Sequence, residues 1–354
     1  MSETSRTNLK PSPIIEGLKA YCPPASANPI DLKLSGNEGA APPIELVDVL
    51  KDIGPDVMRK YPNNSVLEGA LAKKLSLEAD QVVVTAGADD ALDRICRAFM
   101  TDKSEIIFPS PSFEMVPIYA KLVGAKLVDQ PWPEGAYPVD EVLSKVNGST
   151  AVICVVTPNN PTGAVASADD LKRLSEGAPN SLILVDLVYA ECADEDLTQA
   201  ALSLPNALVI RSFSKAWGLA GLRVGYVAGN AEYINWLRVA AGPFMVATPS
   251  LAIAAYWLEK GRDFVDNYVA QIRKERSSLF ELLNDKGAQV RPSQANFVLA
   301  RFDDATKVRD GLAELGIGVR LFENNAALEG CLRITCPGND KDFARLEAAL
   351  KEVL

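Results

Sequence analysis

Histidine is absent from all 354 residues of the chain. Ser-His-Asp and Cys-His triads, H-E-x-x-H zinc sites and every imidazole general base are thereby excluded. The six cysteines, Cys22, Cys96, Cys154, Cys192, Cys331 and Cys336, are scattered, with no C-x-x-C pair. Such spacing indicates neither a zinc ribbon nor a disulfide framework, and it fits buried, reduced thiols. No uninterrupted apolar run reaches the ~18–20 residues that span a bilayer, and the opening MSETSRTNLKPSP lacks the apolar core of a signal peptide. A soluble, cytoplasmic chain without a membrane partner is expected. A basic stripe is missing too. The net charge of −10 comes from acidic and basic residues mixed along the chain, so no nucleic-acid partner is expected.

With 48% hydrophobic residues the chain can bury a large core, and its length favours two domains or one large domain with an appended lobe. Residues 1–43 carry Pro11, Pro13, Pro23, Pro24, Pro29, Pro42 and Pro43, and read as an irregular arm that must lie on something else. From Ile44 the pattern turns helical, breaks at Tyr61-Pro62-Asn63-Asn64 and resumes as LEGALAKKL. Short apolar runs then alternate with helical patterns: QVVVT (81–85), EIIF (105–108), AKLV (125–128), TAVICVVT (150–157), SLILVD (181–186), ALVIRS (207–212) and RVGYVAG (223–229). Continuous β-branched runs separated by helices predict a mostly parallel sheet covered on both faces, an α/β protein with a three-layer α/β/α large domain over 44–248. After a long helical region from about Pro249 to Asp285, strands are expected near NFVLARF (296–302), IGVRLF (317–322) and CLRIT (331–335), then a last amphipathic helix. This alternation predicts a smaller α+β domain over 249–354, joined by the arm.

The chemistry concentrates in RSFSKAWGLAGLRVGY (211–226). A lysine after two small hydroxyl residues, Ser212 and Ser214, and before Gly218, Gly221 and Arg223 places a nucleophilic amine inside a phosphate site. Hydroxyls and guanidinium hold a dianionic phosphate while the amine condenses with an aldehyde, a combination that suggests pyridoxal phosphate. Taken alone, the same stretch also fits an ordinary strand-to-helix turn. Ligands of an open parallel sheet bind at the carboxyl ends of its strands. Gly87-Ala88-Asp89, Asn160, Asp186 with Tyr189, and Ser212 to Lys215 each follow one strand, so all four groups are expected at one edge.

With these residues in place, the chain resembles a fold-type I pyridoxal-phosphate aminotransferase of the histidinol-phosphate aminotransferase branch. The matching motifs are AGADDAL (86–92), NPTG (160–163), DLVY (186–189), SFSKAWGLAGLRVGY (212–226) and LRIT (332–335), with weaker matches at LKLSGNE (32–38), RKYPNN (59–64) and SQANFVLAR (293–301). The resemblance implies Lys215 as Schiff-base lysine and proton carrier, Asp186 as partner of the pyridine nitrogen, and Asn160 and Tyr189 as donors to the ring's phenolate oxygen. It implies Phe113 stacked on the ring, and a phosphate site made of Gly87, Ala88 and Asp89 through their backbone together with Ser212, Ser214 and Arg223. Tyr61 resembles the tyrosine that reaches the neighbouring subunit's phosphate, which implies a homodimer with a shared site. Arg333 resembles the arginine that grips the substrate's acidic group, with Arg320 as a second anion contact, Asn160 beside them and Tyr21 closing the pocket. The implied reaction is ping-pong transfer between an amino donor, foremost histidinol phosphate, and a 2-oxo acid, foremost 2-oxoglutarate.

Departures at Ala88, at Leu187-Val188 and at Met245 leave the side-chain pocket open to aromatic or aliphatic donors. A threonine-phosphate decarboxylase type and a non-catalytic cofactor-binding module are the alternatives. A nicotinamide dehydrogenase lacks its G-x-G-x-x-G after the first strand.

Overall fold

In the computed structural model, which describes residues 10–16, 18, 20, 28–52, 54–323 and 325–354, the seven apolar runs become one seven-stranded sheet. In chain order the strands are β1 (Leu32–Lys33), β2 (Val82–Thr85), β3 (Glu105–Ser110), β4 (Lys126–Pro131), β5 (Thr150–Val156), β6 (Leu182–Asp186), β7 (Ala207–Ser212) and β8 (Gly225–Gly229). They continue with β9 (Gln289–Arg291), β10 (Phe297–Arg301), β11 (Ile317–Gly318), β12 (Arg320–Leu321) and β13 (Cys331–Thr335). The large sheet has the order β2-β8-β7-β6-β5-β3-β4. All its pairs are parallel except those of β8, which runs against both β2 and β7.

Alternation along the strands sends neighbouring residues into different cores. On β6, Leu182 and Leu184 pack with Leu92 and Ile95 of the helix Gly87–Phe99, whereas Ile183 and Val185 pack with Leu171 and Leu174 of the helix Ala168–Gly177. This two-sided burial explains why the strands are apolar throughout instead of alternating with polar residues. Each such side chain contributes roughly 1.5–3 kcal/mol when fully buried. The helix Ala168–Gly177 starts at a reciprocal cap: Ser167 Oγ accepts from Asp170 N at 3.1 Å, and Asp170 Oδ2 accepts from Ser167 N at 2.8 Å.

The smaller sheet has the order β12-β13-β10-β9 and is antiparallel throughout. The arm joins it indirectly, with β1 pairing parallel to β11 so that Leu32 faces Ile317. A third core, containing Leu67, Leu71, Ile272, Leu279, Leu332 and Ile334, ties the small sheet to helices Ser65–Leu75 and Arg262–Asp285 and to Val82 and Val84 of β2. The long helical region is two helices, Thr248–Lys260 and Arg262–Asp285, divided at Gly261, where a Cβ would lie 2.6 Å from the Trp257 ring. The expected strand at 317–322 is divided as well, into β11 and β12.

Cys96, Cys154, Cys192, Cys331 and Cys336 are buried and unbridged, and burial pushes the thiols of Cys96 and Cys192 up to about 12. Cys22 lies outside the described residues. Among the described residues, no helix is long and apolar enough to cross a membrane.

Candidate active site

Strands β2, β5, β6 and β7 all run in one direction, because β8 reverses twice between β2 and β7. Their carboxyl ends therefore deliver Gly87, Asn160, Asp186 and Ser212 to one edge of the sheet.

Ser212 and Ser214 are buried and bonded to each other: Ser212 Oγ donates to Ser214 Oγ at 2.9 Å and accepts from Ser214 N at 3.1 Å. Arg223, in the left-handed region at φ 52°, turns its guanidinium back toward them, with Nη1 3.5 Å from Ser214 Oγ. Its Nη2 donates to Asp89 Oδ2 at 3.1 Å. Gly87 opens the helix Gly87–Phe99 at φ +79°, and a Cβ there would lie 2.5 Å from Arg223 Nη2. Only a glycine lets the guanidinium reach this helix start. The result is a concave group of donors: two hydroxyls, one guanidinium and the first N–H groups of a helix, where an anion is favoured. Sequence reasoning used Asp89 for its backbone alone; its carboxylate also holds Arg223.

Lys215 follows this cradle. Its Nζ donates to the carbonyl of Gly36 at 3.0 Å and lies 5.7 Å from the centre of the Tyr189 ring. Burial lowers the amine to about 8, Arg333 acts in the same direction, and Glu38 and Asp89 oppose them. Asp186 is buried, and the removal of water raises its carboxyl to about 7 against the bond that Oδ1 accepts from Val188 N at 3.1 Å. A buried carboxyl so poorly compensated fits a cationic ring nitrogen placed against it. The cradle, the amine and this carboxyl together suit a phosphorylated pyridine aldehyde.

Asn160 meets the small sheet at Arg333, and Tyr189 stacks edge-on against Phe297 of β10. Arg333 of β13 is buried, donates through Nη1 to Asn160 Oδ1 at 2.6 Å and through Nη2 to the Ser35 carbonyl, and lies 5.4 Å over the Phe297 ring. Arg320 of β12 is directly opposite Arg333 in register, and its Nη2 pairs with Glu114 Oε1 at 3.1 Å. Phe113 is half-buried on the core beneath the helix Gly87–Phe99. Its turn is tied to the Asn160 turn, since Ser112 Oγ donates to Asn159 Oδ1 at 2.6 Å and Asn159 Nδ2 donates to the Pro111 carbonyl at 2.9 Å. Tyr61 stands apart, 80% exposed, stacked at 4.5 Å on Phe244. Tyr21 lies outside the described residues.

Sequence reasoning missed the roles of Ser35, Gly36 and Asn37, which touch Arg333, Lys215 and Tyr189 respectively. The LKLSGNE match marked the stretch, but its partners stand more than a hundred residues away in the chain. Glu114 and Thr335 were given no role either; Glu114 follows Phe113, and Thr335 is the last residue of the LRIT match. A separate cavity of about 380 Å³ is lined by Lys74, Glu191, Arg211 and Trp217. Its buried charges are already paired, Arg211 Nη2 with Glu191 Oε1 at 2.6 Å and Arg211 Nη1 with Asp196.

The sequence pattern described as "Aminotransferase class I and II" matches residues 34–350, and the chain belongs to that family. It is therefore an aminotransferase. Among its relatives, a histidinol-phosphate aminotransferase of Caldanaerobacter subterraneus subsp. tengcongensis is 34% identical over 96% of this chain and 97% of its own. An aromatic amino acid aminotransferase of Mycobacteroides abscessus is 32% identical over 88% of this chain and 91% of its own. In fold, the chain resembles the histidinol-phosphate aminotransferase of Sinorhizobium meliloti, solved in complex with pyridoxal 5'-phosphate, with a TM-score of 0.88, 23% identity and 99% of each chain covered.

Proposed function

We propose that this chain is a pyridoxal-phosphate aminotransferase that takes its amino group from histidinol phosphate and passes it to 2-oxoglutarate. One observation carries the cofactor chemistry of this reading: an amine lowered to about 8 and a carboxyl raised to about 7 share a strand-end edge with a guanidinium–hydroxyl cradle. When bound, pyridoxal phosphate supplies an aldehyde that condenses with amines and an electron-poor ring that delocalises a negative charge on the donor's α-carbon.

The chain's own residues do the rest. Ser212, Ser214, Arg223 and the backbone of Gly87, Ala88 and Asp89 hold the phosphate, and Arg223 exchanges the Asp89 carboxylate for it. Asp186 keeps a proton on the ring nitrogen, and that cation in turn brings the carboxyl back down from about 7. Lys215 would be the group that removes the proton from the donor's α-carbon and returns it to the cofactor, and burial, which lowers its amine to about 8, favours the unprotonated form such a base needs. Asn160 and Tyr189 donate to the ring's oxygen, and Phe113 covers the ring. Arg333 holds the donor's anionic group, with Arg320 beside it, and two guanidiniums on neighbouring strands suit a dianionic phosphate.

We assign Tyr61 to a partner copy's phosphate site. Ile44, Val47, Val66, Val239, Phe244 and Met245 are exposed apolar side chains, and a second copy covering them beside the stacked Tyr61 and Phe244 would give a homodimer. The division into an arm (1–43), a large domain (44–248) and a small domain (249–354) and a cytoplasmic location belong to the same reading. An aromatic amino donor is the second reading, favoured by the Glu114 carboxylate that occupies Arg320.

Borohydride reduction of the loaded enzyme should fix the cofactor to Lys215, and Lys215→Ala should lose both fixation and amino transfer. A donor panel of histidinol phosphate, phenylalanine, tyrosine, leucine and aspartate decides the substrate. Response to aromatic donors with none to histidinol phosphate would reject the phosphate reading. Carbon dioxide release without keto-acid dependence would reject transamination.

A further inference from the structure

Asn37 is 1% exposed and sits in the left-handed region at φ 55°, a conformation that asparagine tolerates better than most side chains. Three parts of the chain fix it. Its Oδ1 accepts from Thr335 Oγ1 at 2.8 Å, its backbone carbonyl accepts from Asn296 Nδ2 at 3.2 Å, and its Nδ2 donates to Tyr189 Oη at 2.9 Å. Asn296 is itself held by Tyr268 Oη at 3.2 Å. The orientation matters because the two ends of an amide differ: with Oδ1 taken by the Thr335 hydroxyl, only N–H faces the phenol. A phenol has one proton. An oxygen that receives an N–H keeps that proton for another acceptor. The charged and titratable groups facing this phenol are Arg333, Asp186, Cys192 and Lys215.

We infer that Asn37 is a positioning residue that turns the Tyr189 hydroxyl outward, so that its proton is donated to the cofactor's ring oxygen instead of being spent inside the protein. The inference rests on the assignment of Tyr189 to that oxygen. Thr335 stands two residues after Arg333 on β13, on the same face of the strand, so the strand that grips the substrate also braces the amide that aims the phenol. With Asn37 in place the ring oxygen is better stabilised as an anion, and the Lys215 nitrogen attached to the cofactor holds its proton less tightly. The site then meets an incoming donor amine in its reactive protonation state at lower pH.

The test is a spectrophotometric pH titration of the resting, cofactor-loaded enzyme, reading the midpoint of its visible band. Asn37→Gly keeps the left-handed backbone and deletes the amide. The midpoint should move up by about 0.4–1 pH unit, a roughly 2.5- to tenfold change in proton affinity, the worth of one neutral hydrogen bond. In a Tyr189→Phe background Asn37→Gly should be silent, because no phenol remains to orient. An equal shift in both backgrounds, or none in either, would overturn the proposal. Should Asn37→Gly fail to load cofactor, Thr335→Val, which removes only the hydroxyl bracing the amide, is judged by the same outcomes. A Tyr189→Phe enzyme whose midpoint matches that of the parent would instead refute the assignment of Tyr189 to the ring oxygen.

Discussion

Gly87→Ala probes the cradle with a single methyl group. The added Cβ would stand 2.5 Å from Arg223 Nη2 and 3.1 Å from its Cζ, on a backbone at φ +79°. Two costs follow. A left-handed conformation disfavours an L side chain by roughly 1–2 kcal/mol, which lowers the stability of the whole protein. The clash is relieved by the flexible partner, so the guanidinium swings off the helix start and away from Ser214. A charge-assisted hydrogen bond contributes about 1.5–3 kcal/mol, and losing it weakens phosphate binding by about 10- to 150-fold. The assay is the dissociation constant of pyridoxal phosphate for the apoenzyme, titrated by absorbance beside pyridoxal, which lacks the phosphate. Pyridoxal phosphate should lose most of its advantage over pyridoxal, while pyridoxal itself binds nearly as before. Equal losses for the two compounds, or none, would refute the argument that Gly87 exists to let Arg223 reach the phosphate.

Asp186→Asn should stabilise the apoprotein while weakening cofactor binding. Between its unfolded value of ~3.9 and its folded value of about 7, the native carboxyl holds a proton that the unfolded chain releases, so stability falls as pH rises through that window. Removing the charge should add roughly 1–4 kcal/mol at pH 8 and much less at pH 5, read by urea unfolding of apoenzyme. A gain of the same size at both pH values would refute the burial argument. Glu114→Gln should release Arg320 and raise kcat/KM for phosphate-bearing donors about two- to fivefold, with aromatic donors unaffected, since the Glu114 end of the pair is half-exposed and such a pair is worth no more than ~1 kcal/mol. Equal gains for both donor classes would show that the pair does not act on the substrate's anion.

The large sheet was legible because its strands are buried on both faces. Val152 to Val156 and Leu182 to Val185 contain no polar residue, and a parallel sheet between helices is what such runs require. The reversal of β8 left no mark, since RVGYVAG reads alike in either direction and only its pairing with Arg211 and Thr85 sets the sense. Gly261 lies inside a continuous helical pattern, and the Trp257 ring leaves no room for a Cβ at the break, a contact that periodicity does not carry. In the site, local motifs were readable where the roles are local: Ser212, Ser214 and Arg223 bond within one stretch. Asn37 was not, because its meaning is made by Tyr189, Asn296 and Thr335, all far along the chain. The Glu114–Arg320 pair likewise ties β12 of the small sheet to a residue 206 positions earlier, a separation that no sequence window spans.

The buried pair of Asp186 and Lys215 acquires a practical value from the missing imidazoles. In most proteins histidines dominate proton exchange between pH 6 and 8 and obscure everything beneath them. Here no imidazole contributes, and among the described residues burial brings the Asp186 carboxyl up to about 7 and the Lys215 amine down to about 8, while it also raises Glu275 and lowers Lys74. Protons released or taken up as the cofactor binds can then be counted by calorimetry in buffers of different ionisation heat. Once the free cofactor's own titration is subtracted, the count reports on buried groups with no imidazole contribution to remove.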